Sequence, residues 1–278
     1  MLRVLPDKIY LKTLFELKFD EKLNLKDPQT FNEKLQWLKL YDRNPLYTKM
    51  VDKYEVKKYV ADLIGEQYII PTLGVWDSFD EIDFEKLPEQ FVLKCTHDSG
   101  GLVICRDKSK LKKETARAKI EKSLKVNYYW RGREWPYKNV VPRILAETYM
   151  QDGDTVSLPV YKFFCFDGKA TICQTIQNDK QPNETIDYFD RDWNLLDLRQ
   201  NYPNSARPLE KPSCFDEMLN IADTLAQDKK SFLRVDLYVI NGNIYFSEYT
   251  MFSDSGLAVF HPVEWDKKLG KMINLQVE

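Results

Sequence analysis

Histidines and paired cysteines are scarce in this sequence. Its 278 residues include two histidines and five cysteines, and no two cysteines form a C-x-x-C pair. This supply is too small to predict a zinc site, and an odd number of scattered cysteines argues against a disulfide framework. We therefore expect a reduced, cytoplasmic location.

Long apolar runs and a strong net charge are also missing. No run approaches the roughly 20 apolar residues that a membrane-spanning helix needs, and residues 1–23 carry charges too often for a signal peptide. The 41 basic and 43 acidic side chains leave a net charge of −2. This balance gives no electrostatic reason to expect nucleic acid or an anionic membrane as the main partner. We expect no integral membrane segment and no nucleic-acid partner.

The patterns that are present predict helices first and β-hairpins later. TFNEKLQWLKLYDR offers Thr30 as an N-cap with Glu33 three residues on, a capping-box pattern. DKYEVKKYVADLIG predicts a second helix that ends at Gly65. Turn signals at Asp167-Gly168 and Asn241-Gly242 predict two hairpins with an amphipathic helix between them. Helices followed by antiparallel hairpins indicate the α+β class.

The last hairpin, SFLRVDLYVINGNIYFSEYT, carries acidic side chains on both strands. Alternate residues of a strand share a face. A three-residue loop at 241–243 would set Asp236 opposite Glu248 and Arg234 opposite Thr250. A two-residue Asn-Gly turn would instead set the carboxylates apart, unless a bulge follows. We expect the three-residue loop.

Two carboxylates that face each other across a ladder repel unless a cation lies between them. Hard oxygen ligands of this kind suit Mg²⁺, which usually completes its shell with water and nucleotide phosphates. The simpler interpretation is that Arg234 neutralises Asp236 without any metal. The hairpin alone leaves both interpretations open.

A second candidate is FVLKCTHDSGG at residues 91–101, where a strand lysine precedes a polar loop. The Lys94 ammonium suits phosphate oxygens, and Gly100 and Gly101 would let backbone N–H groups approach them. The P-loop and G-x-G-x-x-G patterns are both missing, so an ordinary hairpin turn fits equally well. His97 is able to titrate near neutrality; we interpret it as a hydrogen-bonding loop residue rather than a catalytic acid.

A third candidate is AETYMQDGDT, a strand that runs into a turn. Met150 could line an adenine edge, and Asp152 or Asp154 could accept ribose hydroxyl groups. Along the chain, Lys53 at a helix start is followed by the glycine loop, the strand at Glu147 and the acidic hairpin. This is the order seen in ATP-grasp enzymes, which the sequence resembles.

More narrowly, the sequence resembles the TupA-like ATP-grasp family of surface-polysaccharide biosynthesis, named after teichuronopeptide synthesis. The resemblance spans residues 31–270. The phrases that carry it are FNEKLQWLKLYDR, DKYEVKKYV, FVLKCTHDSGG, REWPYKN, YKFFCFDGK, FLRVDLYVINGNIYFSEYT and HPVEWDKKLG.

The resemblance implies an α+β ATP-grasp fold in which two subdomains of antiparallel hairpins packed with helices grip ATP between them. The implied segments are a short helical region at 1–70, a flap-bearing subdomain at 71–150 and a subdomain with the Mg²⁺ hairpin at 151–278. The implied site residues are Lys53 and Lys94 for phosphate; Ser99, Gly100 and Gly101 for the flap; Glu147, Thr148, Tyr149 and Met150 for the adenine hinge; Asp154 for ribose; Asp236, Glu248 and Thr250 for metal; and Arg234, with Lys94, for catalysis.

Thr250 departs from the usual ATP-grasp site residues, and Lys162 is a further candidate beside them. Many ATP-grasp ligases end the metal motif with E-x-N, whereas Thr250 stands here in place of the amide. The number of Mg²⁺ ions therefore stays open. Lys162, on the strand after the hinge, either contacts phosphate or substrate, or packs its stem over an aromatic ring.

The implied reaction is ligation of a carboxylate to an amine, with ATP and Mg²⁺ as cofactors. ATP phosphorylates the carboxylate of a sugar or glycan, and an amine or amino acid attacks the acyl-phosphate. The loop NYYWRGREWPYKN is a candidate acceptor surface, since its aromatic faces could stack on sugars while its arginines pair with uronates. The residues concerned are Trp130, Arg131, Arg133 and Trp135.

Three other functions remain as alternatives. The first is a glycosyltransferase, although we find no convincing D-x-D sugar-nucleotide signature at a strand end. The others are an ATP-grasp kinase that stops at phosphoryl transfer, and a non-catalytic nucleotide-binding subunit. Association with a polysaccharide-synthesis complex is compatible with all of them.

Overall fold

The computed structural model describes residues 2–153, 158–179 and 181–275, which form the α+β fold that the sequence predicts. The helices are α1 (Asp7–Phe19), α2 (Phe31–Tyr41), α3 (Leu46–Val51), α4 (Glu55–Ile64), α5 (Lys113–Leu124), α6 (Tyr129–Gly132), α7 (Phe215–Ala226) and α8 (Glu264–Met272). The strands are β1 (Thr72–Trp76), β2 (Phe91–Cys95), β3 (Leu102–Cys105), β4 (Ile144–Thr148), β5 (Val160–Phe166), β6 (Lys169–Gln177), β7 (Thr185–Asp190), β8 (Arg199–Gln200), β9 (Phe232–Ile240), β10 (Asn243–Thr250) and β11 (Phe260–His261). Short 3₁₀-helices include 135–139 and Ser253–Gly256. In this described part of the chain, no helix combines the length and apolar character needed to cross a bilayer.

One compact unit comprises residues 44–151. Its four-stranded sheet has the order β1-β4-β2-β3, with every neighbouring pair antiparallel. Apolar side chains of the sheet and of α5 form its core, including Phe91, Leu93 and Ile120. Strand β4 is an inner strand, so its backbone is hydrogen-bonded on both sides and its side chains have fixed positions.

The other compact unit joins residues 1–43 to residues 152–278. It contains a five-stranded antiparallel sheet of order β10-β9-β5-β6-β7 and a two-stranded sheet of β8 and β11. Phe31, at the start of α2, is fully buried and packs edge-on against Phe232 with a centroid distance of 4.9 Å. Its ring also lies 6.0 Å from that of Phe260. Helix α2 is therefore part of the core of this unit.

The units divide the chain differently from the segments expected at 1–70, 71–150 and 151–278. The residues before 70 are largely helical, but α1 and α2 group with the five-stranded sheet, whereas α3 and α4 group with the four-stranded sheet. The physical reason is that the buried face of α2 contacts residues more than 200 positions away, such as Ala258 and Asp266.

The predicted capping signals are present. The Thr30 hydroxyl accepts a hydrogen bond from the Glu33 amide at 3.2 Å, and a Glu33 carboxylate oxygen accepts one from the Thr30 amide at 3.1 Å. Helix α4 is preceded by Asp52, whose carboxylate accepts the amides of Tyr54 and Glu55, and it ends at Gly65 with φ +107°. Local sequence therefore determines where these two helices begin and end.

We predict that Thr30→Ala lowers the free energy of unfolding by about 1 kcal/mol, because an N-cap side-chain bond to the helix is lost. Thr30→Ser keeps a hydroxyl in the same position and should recover most of that loss. Urea unfolding followed by circular dichroism measures both variants. Equal stability of the two would show that the capping box contributes little here.

Candidate functional site

A buried carboxylate holds two lysines together in the four-stranded unit. The Glu147 side chain, on β4, is 7% exposed, and its two oxygens lie 2.5 Å from the Nζ atoms of Lys57 and Lys94. Lys94 comes from the neighbouring strand β2 and Lys57 from α4. Sequence reasoning assigned Lys94 to phosphate and Glu147 to the adenine hinge, and it did not predict that their side chains pair. It also missed Lys57, whose signal was its place four residues after Lys53 in the predicted helix.

The single negative charge of Glu147 does not balance the two positive charges of Lys57 and Lys94. Burial raises the pKa of Glu147, but Lys94 and Lys57 outweigh it and hold that pKa below its usual range. Burial also lowers the pKa of Lys57, against the raising effect of Glu147. One carboxylate facing two ammonium groups leaves a net positive charge, which suits an anion such as a phosphate.

The glycine loop is fixed along its inner side. The Asp98 carboxylate accepts hydrogen bonds from the Gly101 amide at 3.1 Å and from the Ser123 hydroxyl. The Lys53 ammonium donates to the Asp98 carbonyl at 2.7 Å. Ser99 and Gly100 are exposed at the tip of this loop. Hydrogen bonds therefore hold Asp98 and Gly101 in place, while Ser99 and Gly100 face solvent.

Only one of the two adjacent positions, 100 and 101, requires glycine for packing. A Cβ at Gly101 would lie 2.4 Å from Cys95 Sγ and 2.6 Å from Ser123 Oγ, closer than real contacts allow. A Cβ at Gly100 would meet only Asp98 Oδ2, at 3.6 Å. Close packing therefore requires glycine at 101, where the amide is already bonded to Asp98, but not at 100.

His97 is a buried hydrogen-bonding residue, as interpreted from the sequence. It is 2% exposed, and its Nε2 lies 3.2 Å from the Ser123 carbonyl and 3.0 Å from the Val126 carbonyl. Both partners are acceptors, so Nε2 carries a hydrogen and donates. His97 thus ties the glycine loop to the C-terminal end of α5.

The predicted hinge begins inside the sheet and leaves it. Strand β4 ends at Thr148, whose amide donates to the Pro71 carbonyl at 3.1 Å. Tyr149 and Met150 follow the strand, and the Tyr149 hydroxyl accepts a bond from Arg106 Nε at 3.1 Å. The predicted ribose contact, Asp154, lies outside the described residues.

The candidate metal hairpin (β9 and β10) has the predicted pairing of Asp236 with Glu248, but its turn differs from the predicted one. Ile240 pairs with Asn243, so the turn has two residues and the predicted three-residue loop is wrong. A β-bulge then lies between Phe246 and Glu248, and beyond it Glu248 pairs with Asp236. An extra residue in one strand restores the cross-strand pairing that the shorter turn would have lost.

Asp236 is nearly inaccessible and is held by two cations. Arg234 Nε and Nη2 donate to its two oxygens at 2.7 and 2.8 Å, and Lys162 Nζ lies 3.7 Å from one of them. Lys162 is directly opposite Asp236 in the β5–β9 ladder. Burial lowers the pKa of Arg234, but neighbouring carboxylates, Asp236 foremost, more than offset this and raise it. Arg234 therefore neutralises Asp236, as the metal-free interpretation requires, inside a buried site.

The donors at this hairpin still fit Mg²⁺. Asp236 and Glu248 supply hard carboxylate oxygens across the ladder, and the half-buried Thr250 shares a strand face with Glu248. Among residues 2–153, 158–179 and 181–275, no group of three or more histidine, cysteine or acidic residues could hold a metal. One or two carboxylates suffice for Mg²⁺, because water and phosphate oxygens complete its shell.

The 3₁₀ segment Ser253–Gly256, directly after the hairpin, has an unusual backbone. Asp254 and Ser255 have left-handed φ values of 46° and 55°, and Gly256 has φ 62°. This conformation costs roughly 1–2 kcal/mol for each residue other than glycine. Arg234 Nη1 donates to the Ser253 hydroxyl at 3.2 Å, so the strained turn is joined directly to the ion pair.

Polar side chains of α2 hold this turn, and sequence reasoning missed them. Gln36 donates to the Ser255 and Gly256 carbonyls at 3.0 and 2.7 Å, and Lys39 donates to the Ser255 carbonyl at 2.7 Å. Both side chains are 1% exposed. The available signal was that Gln36 and Lys39 lie on the same helix face as the apolar Leu35.

The proposed sugar-binding loop does not present all four of its side chains. Arg133 is 1% exposed, and its guanidinium lies 4.6 Å from the ring centre of Trp130. Trp135 packs against Tyr47 with a centroid distance of 5.8 Å. The prediction that Arg133 pairs with a substrate carboxylate is therefore wrong. Arg131 is the exposed arginine of this loop.

We predict that Gly101→Ala destabilises the protein by about 1–3 kcal/mol, because Cys95 and Ser123 must move to admit the new methyl group. Gly100→Ala is the matched control and should change stability by less than about 0.5 kcal/mol. Urea unfolding of both variants is the measurement. Equal effects would contradict the assignment of Gly101 to packing.

We predict that Glu147→Gln lowers the free energy of unfolding at pH 7 by about 3–5 kcal/mol, the range for breaking a buried ion pair. Because the pKa of Glu147 is lowered on folding, its contribution is complete above the ordinary glutamate pKa. It is lost as pH falls through the lower pKa of the folded protein. The difference between wild type and variant should therefore shrink in acid.

Glu55→Gln is the control for this prediction. Glu55 also accepts an arginine, Arg143 at 2.8 Å, but its side chain is exposed. Its loss should cost less than about 1 kcal/mol. A Glu147 variant no less stable than the Glu55 variant would show that the buried group contributes no net stability.

Comparison with known proteins gives the family. Residues 33–274 match the family described as "TupA-like ATPgrasp". Curated protein sequences gave no match. Among solved structures, the chain is similar to a D-alanine–D-alanine ligase from Bacillus anthracis complexed with ATP (18% identity, 73% of this chain and 54% of that one, TM-score 0.42). It is also similar to a D-alanine–D-alanine ligase from Helicobacter pylori (17% identity, 87% of this chain and 69% of that one, TM-score 0.45). A third similar structure is an L-amino acid ligase from Bacillus licheniformis (12% identity, 91% of this chain and 55% of that one, TM-score 0.46).

The chain spans little more than half the length of the Bacillus anthracis and Bacillus licheniformis proteins. Since the family match covers most of the sequence, the chain belongs to the TupA-like ATP-grasp family.

Proposed function

We propose that this protein is an ATP- and Mg²⁺-dependent carboxylate–amine ligase of bacterial surface-polysaccharide biosynthesis. It phosphorylates the carboxylate of a uronic-acid sugar and joins an amino acid or another amine to it as an amide. The observation that carries the proposal is the hairpin in which a bulge sets Glu248 opposite Asp236. Bulges of this kind re-aim side chains and recur next to active sites.

The residues of the hairpin suit the stabilisation of a developing negative charge. Arg234 is held rigid by two bonds to Asp236 and one to Ser253. A guanidinium that is already in position can stabilise a developing negative charge without first having to reorient. We assign Arg234 to the acyl-phosphate and to the tetrahedral species that follows amine attack. Lys162 supplies a second positive charge beside the same carboxylate.

The lysines of the four-stranded unit suit the phosphates of ATP. Lys94 is oriented by Glu147, and Lys53 by the Asp98 carbonyl. Such positioning is most of what phosphoryl transfer requires of a protein. We assign Lys53 and Lys94 to phosphate binding and Ser99 and Gly100 to the closing tip of the loop. We assign the backbone from Glu147 to Met150 to the adenine edge.

Asp236 and Glu248 are the residues that would hold Mg²⁺, with Thr250 beside them. The ion, when bound, would neutralise phosphate charge during the transfer. The γ-phosphorus–oxygen bond to ADP breaks as the substrate carboxylate oxygen attacks. The amine nitrogen then attacks the acyl carbon, phosphate leaves, and the amine loses a proton.

The substrate class rests on the sequence resemblance. In the aromatic loop, Arg131 and Trp130 remain as candidates for sugar contacts, because Arg133 is buried. All five cysteines are free thiols, and four of them are buried. This state suits the reducing cytoplasm, where we place the reaction.

The test is ATP consumption by the full chain with MgCl₂, a panel of uronic acids and a panel of amino acids, with products read by mass spectrometry. We expect ADP release only when both substrates are present, and a product heavier by one amino acid minus water. Glu248→Gln should lower turnover by at least about 10- to 100-fold. Glu264→Gln, an exposed glutamate on α8, should leave turnover unchanged.

Other outcomes would identify the alternatives. A phosphorylated sugar without amide would indicate a kinase, and sugar transfer from a nucleotide sugar would indicate a glycosyltransferase. ATP binding without turnover on any pair would favour a non-catalytic subunit. Each of these results contradicts the ligase proposal.

A further inference from the structure

Strand β3, at one side of the four-stranded sheet, has an outer edge that pairs with no strand of the described ranges. It stands last in the order β1-β4-β2-β3. Its sequence is LVIC, and the side chain of Ile104 is 49% exposed. Proteins commonly protect such an edge with a charge, a proline or a bulge in the strand itself. Strand β3 contains none of these, so its edge is available for pairing with another chain.

The ladder with β2 leaves the backbone of Ile104 directed outward. The Cys95 amide donates to the Gly101 carbonyl at 2.7 Å, so this cross-strand pair is hydrogen-bonded. Hydrogen-bonded and non-hydrogen-bonded pairs alternate along an antiparallel ladder. Val103 is therefore in a bonded pair, whereas Ile104, opposite Val92, is not. The amide and the carbonyl of Ile104 point away from β2, toward the outer edge.

A groove of about 620 Å³ lies against β3 and the first half of α5. Its apolar lining includes Val103, Leu111 and Ala116, which are half-buried or buried. Val103 packs with the core beneath α5, so the side chain of Ile104 lies on the opposite face of the sheet. A chain paired with the edge of β3 would therefore direct alternate side chains toward the groove and toward Ile104.

The rim of the groove is basic. Among its lining residues in the described part of the chain, Arg106, Lys110, Lys112 and Lys119 are basic, and Asp107 is acidic. Asp107 already binds Lys110, with 2.8 Å between Oδ2 and Nζ. Basic side chains outnumber acidic ones along residues 106–125, although the whole protein has a net charge of −2. Such a surface attracts an acidic partner and repels a basic one.

We propose that the edge of β3 is the docking site for an extended, acidic segment of a partner protein, which adds to the four-stranded sheet as a further strand. The main chain of the segment pairs with the amide and carbonyl of Ile104. Its acidic side chains cross the apolar groove and reach Lys112 and Lys119, while apolar side chains on its other face cover Ile104. Main-chain bonds provide affinity in strand addition, and side-chain contacts provide specificity.

A polyanionic glycan would share the negative charge of such a segment. It does not carry the alternating amide and carbonyl groups that match the edge of a strand. The outward backbone of Ile104 and the apolar groove therefore favour a peptide over a glycan. This inference is independent of the proposed ligase function, because docking involves neither ATP nor the two substrates.

The first test uses the full chain and a fluorescein-labelled peptide of alternating glutamate and valine, long enough to span β3. Fluorescence anisotropy should show saturable binding that weakens as NaCl screens the charges. Combining Lys112→Glu with Lys119→Glu should raise Kd about tenfold or more, because two attractions become repulsions. Lys125→Glu is the matched control, since Lys125 is exposed in the same basic segment but does not line the groove. Its Kd should change less than about threefold.

The second test concerns the backbone. Ile104→Pro removes the outward amide and leaves the hydrogen-bonded pairs of β2 and β3 intact, because proline is tolerated where an edge amide faces solvent. It should raise Kd about tenfold, the effect of losing a main-chain bond, whereas Ile104→Val, which keeps the amide, should bind as wild type does. Circular dichroism checks that both variants fold. In the wild-type protein, saturating peptide should slow hydrogen exchange at the Ile104 amide, which tests the pairing without any substitution.

Several results would overturn the inference. These are the lack of saturable binding, equal binding of a peptide with lysine in place of glutamate, or unchanged exchange at Ile104. Competition by polyglucuronate, together with full binding by Ile104→Pro, would assign the groove to glycans. A dimer that forms without peptide and is lost in the double lysine variant would assign the edge to a second copy of this chain.

The double lysine variant also separates docking from ligation. It should ligate free substrates at the wild-type rate, because neither lysine belongs to the proposed site. A reduced rate would place the groove in the ligation reaction and contradict a separate docking role. If the wild-type protein forms no amide but binds the peptide as described, only the ligase proposal fails.

Discussion

The buried ion pair of Arg234 and Asp236 is the interaction on which the hairpin unit depends. A carboxylate out of contact with water is tolerable only when opposite charge and hydrogen bonds surround it. Here the guanidinium binds it with two bonds, while Lys162 approaches it from the next strand. Those contacts require that β5 and β9 be paired in one register. The bulge in β10 then brings Glu248 to the same point.

The four-stranded unit repeats this arrangement with other residues. Glu147 is a buried carboxylate with Lys57 and Lys94 as its two cations. In each unit, one buried carboxylate therefore orients two positive groups. The group at Glu147 keeps a positive charge, which suits a phosphate ester, whereas Glu248 adds a second carboxylate at the hairpin, where carboxylate oxygens suit a metal cation. Orientation by a buried carboxylate also restricts long side chains that would otherwise sample many rotamers.

Helix α2 fixes the position of the turn at 253–256 through hydrogen bonds from its side chains. Its apolar residues pack into the core, while Gln36 and Lys39 bind carbonyls of the turn. The buried nitrogen donors of both side chains have carbonyl partners, and such bonds favour one arrangement because an unmade hydrogen bond is costly. The same helix thus contributes to stability through Phe31 and to the site through its polar face.

Local patterns in the sequence were enough for the class of fold, the capping box of α2, the hairpins, and Lys94, Arg234, Asp236 and Glu248 as candidate site residues. These features depend on residues close together in the chain, where spacing alone limits the geometry. The family follows from the sequence as well, because its phrases extend along nearly the whole chain. Tertiary structure alone decided the two-residue turn with its bulge, the pairing of Lys57 with Glu147, the burial of Arg133 and the hold of α2 on a turn about 220 residues away. Each of these depends on packing between distant segments, where the cost of burying a charge or an unpaired polar group selects one arrangement from several that the sequence allows.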